Sequence, residues 1–141
     1  MVVDDPLGMH ASVSVDAVSE WLAGVPDVVA RLEAARHPRI ADVGCGRGVS
    51  TLALAHAFLD AHVDGLDDDP ASISDARRRA RGEGLDGRVR FLQAGAGELT
   101  GPYDLILIRG PLHDPAAALT ALASGGTVLV ATAGRMSRLR P

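Results

Sequence analysis

The 141-residue chain has no lysine: all 14 of its basic residues are arginine, set against 18 acids for a net charge of −4. That balance argues against a nucleic-acid backbone as the main partner, because neutralising phosphates takes a basic face. Aromatic residues are scarce too, at 3%. The one basic run, Arg77-Arg78-Arg79-Ala80-Arg81, therefore has no stacking platform beside it and reads as a solvated helix face. The single cysteine, Cys45, excludes an internal disulfide and a cysteine-rich metal centre. None of the histidines pairs with suitably placed acids, so no metal site is expected. No apolar stretch nears the roughly 20 residues that cross a bilayer. Asp4 and Asp5 arrive before any signal-like apolar run develops. The expectation is a cytoplasmic protein that engages neither membrane nor nucleic acid. What the chain does have is apolar content, 47%, in a length suited to one domain.

Residues 1–38 read as a loose arm followed by two helices that pack on a core formed by residues 39–141. Ser14 or Asp16 caps the first helix, which carries Trp21 and Leu22 onto the core; Gly24 and Pro26 interrupt it, and Val28, Val29, Leu32 and Ala35 mark the second. Ile40–Val43 is a strand apolar enough to be buried on both faces. An apolar helical pattern from Val49 to Leu59 follows, with Leu59 facing a sheet. His62–Leu66 is the second strand, and Asp69 caps a helix with Pro70 in its first turn. Val89–Gln93 and Tyr103–Ile108 are strands three and four. Asp114-Pro115 starts a helix over Ala116–Ala123, and Gly125-Gly126 turns into strand five, Thr127–Thr132. Strands alternating with helices predict an α/β fold, a Rossmann-like doubly wound parallel sheet in the order 3-2-1-4-5. A ligand then belongs at the carboxyl ends of strands one and four, where the winding reverses.

The residues at that crevice are Asp42, Gly44, Cys45, Gly46 and Gly48, within Ile-Ala-Asp-Val-Gly-Cys-Gly-Arg-Gly. Strand, glycine turn and helix bring backbone close to a nucleotide-like ligand. The dinucleotide fingerprint G-x-G-x-x-G does not fit, since the third glycine comes one residue early. A fixed carboxylate at Asp42 also disfavours a pyrophosphate, which a helix N-terminus would otherwise attract. A second acid, Asp67, ends strand two, where a carboxylate can accept both ribose hydroxyls.

With these residues the chain resembles the class I S-adenosylmethionine-dependent methyltransferases, through IADVGCGRG, HVDGLDDDPASISDARRRA and YDLILIRGPLHDP with LASGGTVLVAT. The resemblance implies S-adenosylmethionine as cofactor. It sets Gly44, Cys45, Gly46 and Gly48 close to that cofactor, Asp42 near its amino-acid moiety, Asp67 on the ribose, Asp68 with Gly95 and Ala96 by the adenine, and Arg109 on the methyl-donor side. Where the family usually carries an acid after strand three, this chain has Gly95. Where members that methylate amino groups carry an Asn- or Asp-Pro-Pro-aromatic motif, it has Arg109-Gly110-Pro111-Leu112. The expected acceptor is therefore the oxygen or carbon of a small molecule. His113 is the histidine placed to act as a general base. The family usually continues past strand five with a helix and an antiparallel strand pair, and nine residues follow Thr132. Strand five is accordingly expected to be an exposed edge, inviting a partner chain or a second copy in a homodimer. Two further readings stay open: a non-catalytic or partner-dependent subunit, and a methyltransferase fold turned to a non-methylating reaction such as cyclisation.

Overall fold

The computed structural model describes residues 15–110, 115–132 and 135–139. Two helices, α1 (Val15–Ala23) and α2 (Pro26–Ala34), lead into an alternation of β1 (Arg39–Val43), α3 (Val49–Ala57), β2 (His62–Asp67), α4 (Pro70–Gly82), β3 (Val89–Gln93), β4 (Tyr103–Arg109), α5 (Pro115–Thr120), β5 (Leu122–Thr132) and β6 (Arg135–Leu139). The sheet runs β3-β2-β1-β4-β5-β6. Its first five strands are parallel in the expected doubly wound order, and β6 is antiparallel to β5. Asp69 accepts from the Ser72 backbone N–H at 3.3 Å and from its hydroxyl at 2.7 Å, so the expected cap of α4 is in place.

Side chains alternate across each strand, and the two faces are clothed unequally. Ile40, Val63, Val89, Phe91, Leu105 and Leu107 point into a large core with α1 to α4. Trp21 and Leu22 pack against it as expected. The opposite face holds a smaller cluster around Ala41, Tyr103, Ile106 and Val128, covered by α5. Between β3 and β4 the chain makes only a 3-10 turn, Ala96–Glu98, in place of a helix. On that face His62 of β2 and Arg90 of β3 are consequently exposed, although residues 63–66 of β2 stay buried. The continuous burial of a doubly covered strand is kept at β4 and through the last four residues of β1.

Three expectations need correction. Strand five is not the free edge, because Val128–Thr132 pairs with Leu139–Arg135 of β6. The short tail after Thr132 supplies that strand, and Arg138 fastens it to Asp27 of α2 through paired contacts of 2.9 and 2.8 Å. Gly125-Gly126 lies inside β5 rather than before it. The register with β4 shifts between Tyr103 and Leu105, and a Cβ on Gly126 would lie 2.7 Å from the Tyr103 carbonyl oxygen. A bulge tolerates glycine where the partner backbone approaches this closely. Lastly, α3 ends at Ala57, and Leu59 is 72% exposed instead of facing the sheet.

Candidate functional site

β1 ends at Val43, and its next residues turn sharply, with Gly44, Gly46 and Gly48 all at positive φ, 80°, 55° and 87°. The backbone N–H groups of Gly44 and Cys45 both donate to the Leu66 carbonyl, at 2.7 and 3.0 Å, which pins the turn to the end of β2. Gly48 is the N-cap of α3, and a Cβ there would sit 2.6 Å from the Phe91 ring. Only hydrogen fits between turn and ring, so the third glycine is required by packing as well as by φ. Phe91 itself, from β3, gave no signal in the sequence beyond an apolar residue in a strand.

Asp67 bridges the turn to the segment before α4. One carboxylate oxygen accepts from the Gly46 N–H at 2.8 Å and the other from the Asp69 N–H at 2.9 Å. The Asp67 carbonyl in turn accepts from Ala94 N–H at 3.0 Å, drawing the end of β3 alongside. Gly95 and Ala96 follow directly, with Gly95 exposed and Ala96 half-buried. Asp68 is exposed. Asp67, Asp68, the glycine turn and the Gly95-Ala96 segment thus share one stretch of the carboxyl edge.

Asp42 lies beneath this edge, fully buried. Its Oδ2 accepts from the Ser50 hydroxyl at 2.8 Å and the Thr51 hydroxyl at 2.7 Å, both from the first turn of α3. Arg109 stands on the same sheet face at the end of β4, with Nη2 3.4 Å from Oδ2 and 3.2 Å from Oδ1. Its side chain is only 3% exposed. Among the described residues, Asp42 Oδ1 and Arg109 Nε have no hydrogen-bond partner. The charge of Asp42 is therefore offset within the protein, and of the edge's acids it is Asp67, half-buried, and Asp68, exposed, that reach the surface. Ser50 and Thr51 were not singled out from the sequence, though two hydroxyls opening a helix after a strand acid are the available signal.

Cys45 is buried, with Sγ 3.6 Å from the Gly46 carbonyl oxygen. Burial, reinforced by the nearby Asp42 carboxylate, pushes its thiol well above the usual range, which removes it as a nucleophile. His113 lies outside the described residues, as do Pro111, Leu112 and Asp114. No group of three metal-ligating side chains occurs among the described residues, and no described helix is long and apolar enough to cross a membrane.

Comparison with known proteins identifies the relatives of this arrangement. A family described as a methyltransferase domain matches residues 40–129. A trans-aconitate 2-methyltransferase of Streptomyces avermitilis is 37% identical over 107 residues, which are 74% of this chain and 38% of that protein. A release factor glutamine methyltransferase of Deinococcus radiodurans is 37% identical over 95 residues, 66% of this chain and 32% of that protein. An O-methyltransferase from a trans-AT PKS multienzyme of Brevibacillus brevis, solved in complex with S-adenosyl-L-homocysteine, superposes with a TM-score of 0.60 at 19% identity. That superposition covers 66% of this chain and 34% of the other. The chain thus spans roughly a third of the length of each of these proteins.

Proposed function

The chain belongs to the methyltransferase-domain family and has its class I fold, and from that premise we propose that it binds S-adenosylmethionine and transfers the methyl group to an oxygen or carbon of a small molecule. The observation that carries the proposal is the Asp67 carboxylate, held at the end of β2 by the Gly46 and Asp69 N–H groups. With one backbone donor on each oxygen, it retains lone pairs for the two hydroxyls of a ribose. Asp68 adds a second carboxylate beside it, and the edge's two arginines are engaged with acids, Arg109 with Asp42 and Arg47 with Asp75. Such an edge suits a cationic, hydroxyl-bearing ligand better than a pyrophosphate.

When bound, S-adenosylmethionine would supply a sulfonium methyl group that passes in line to the acceptor oxygen or carbon, the thioether sulfur keeping the electron pair of the broken C–S bond. The work left to the protein is to hold donor and acceptor close and aligned. The glycine turn supplies approachable backbone, Asp67 fixes the ribose, and Asp68 with Gly95-Ala96 borders the base. Arg109 and its partner Asp42 keep the turn and β4 in register on the donor side. We assign His113 the role of general base for a hydroxyl acceptor, on its position after β4. The acceptor class rests on Arg109-Gly110-Pro111-Leu112 standing where a motif suited to amino groups would be. The relatives at similar identity act on both a small acid and a protein glutamine by their names, so their chemistry does not select the substrate.

Calorimetric titration with S-adenosylmethionine and S-adenosylhomocysteine tests the proposal. Saturable binding of both is expected, with Asp67→Ala weakening it at least about tenfold, as befits loss of two charge-assisted hydrogen bonds. Absence of binding to either ligand by the folded protein would sink it.

A further inference from the structure

On the α5 face of the sheet, at its β3 side, Arg39 at the start of β1, His62 and Asp64 on β2, and Arg90 on β3 point the same way, by strand alternation and by register. Together with His37 and Arg88 they line a cavity of about 520 Å3. Asp64 is the anchor, buried and held on both carboxylate oxygens. Arg90 grips it through Nε and Nη2 at 3.1 and 3.0 Å, the Tyr103 hydroxyl donates to it at 2.6 Å, and Arg39 Nη2 stands 3.6 Å away. Several hydrogen-bond donors around it are left unengaged. Among the described residues Arg90 Nη1 has no hydrogen-bond partner, and the ring nitrogens of His37 and His62 have none either, their rings meeting edge-on with centroids 6.5 Å apart. Arg88 caps the end of α3 by donating to the carbonyls of Ala55, Phe58 and Ala61, which carry no formal charge to offset its own. Three guanidiniums thus face two carboxylates, Asp64 and Asp86, around the cavity, giving a local excess of positive charge on a chain whose net charge is −4.

We propose that this face is a second binding site, separate from the glycine turn, that takes a small multivalent oxyanion, a phosphate ester or a polycarboxylate, between Arg90, Arg39 and the His37–His62 pair. An acceptor-rich anion answers the excess of guanidiniums over carboxylates, and an arginine already oriented by Asp64 loses little freedom on binding it. The cavity lies at the amino ends of the strands whose carboxyl ends form the glycine turn. Arg39 and His62 are four residues from Val43 and Leu66, or about 13 Å along the strands, so both sites can be filled together.

Pyrophosphate and citrate, each titrated into the full chain by calorimetry and by amide chemical shifts, separate the two ligand sources. The expectation is saturable binding of at least one at about 1 mM or tighter, with shifts centred on residues 37–39, 62–64 and 86–90. The double variant His37→Ala/His62→Ala removes two exposed, unbonded rings and should keep the native melting temperature while weakening binding at least about fivefold, the loss of one or two hydrogen bonds. Arg90→Gln should weaken it further, and saturating S-adenosylmethionine should not compete. No saturable binding of either anion would overturn the proposal, as would unchanged affinity in the histidine variant or shifts centred on the glycine turn.

Discussion

The two ends of β1 and β2 solve opposite problems with the same chain. At the carboxyl ends, small residues and backbone N–H groups meet the Asp67 carboxylate; of the two arginines there, Arg109 is sealed beneath the surface with Asp42, and Arg47 in the turn pairs with Asp75 at 3.8 Å. At the amino ends, arginines carry the structure: Arg90 holds Asp64, and Arg31 and the Arg39 backbone N–H share Asp104. One end leaves backbone and carboxylate open to a ligand, and the other joins strands through side chains. The difference follows from what covers each region. A buried charge pair cannot be rescued by water, whereas Arg90 is more than half exposed and can be.

The largest effect should therefore come from the sealed pair. Arg109→Gln leaves the Asp42 carboxylate buried with only the Ser50 and Thr51 hydroxyls, a loss on the order of 3–5 kcal/mol in urea unfolding. The double variant Asp42→Asn/Arg109→Gln, which removes both charges, should recover much of it. Asp64→Asn, at the wetter end, should cost about 1–3 kcal/mol, because Arg90 can turn to solvent. Equal losses from the two single variants would erase the distinction between the ends.

How much of this contrast the sequence disclosed depends on how far apart the partners lie. The strand, glycine turn and helix occupy adjacent residues, so their spacing carried the parallel order and the crevice. The amino-end network joins residues separated by 26, 39 and 73 positions. No local pattern announces such contacts, although an acid at Asp64 in an apolar strand was a signal of the same kind as Asp42. β6 was missed because Arg-Met-Ser-Arg-Leu has no strong alternation, and its pairing depends on β5 already being placed. Gly125-Gly126 reads as a chain turn, and only the Tyr103 carbonyl opposite it makes it a bulge.

A pH titration sharpens the amino-end half of the comparison. Burial, with the Asp64 carboxylate accepting its proton, pushes the Tyr103 hydroxyl up to about 12. The folded pKa lies above the unfolded value near 10, so the contribution is complete below pH 10 and is lost as pH rises toward 12. Wild-type protein should lose up to about 2 kcal/mol across that window, and Tyr103→Phe should lose none of this component. Tyr103 is the only tyrosine, so its tyrosinate absorbance reads the transition directly.

The smallest effect on stability should fall in the glycine turn, and there it separates folding from ligand binding. Gly46 has φ +55°, and a Cβ built on it meets no atom within 4 Å. Gly46→Ala therefore costs only the left-handed strain of an L-residue, about 1 kcal/mol. Its N–H can still reach Asp67, so the turn keeps its anchor. Gly48→Ala adds a collision with Phe91 to the same strain and should cost more. If the open space beside Gly46 is where the cofactor passes, the added methyl group occupies ligand volume. Affinity for S-adenosylhomocysteine should then fall at least about tenfold while the melting temperature drops by only a few degrees. An alanine variant that binds as wild type would show that the turn is approached from elsewhere, and the carboxyl end would lose its claim to be the more open of the two.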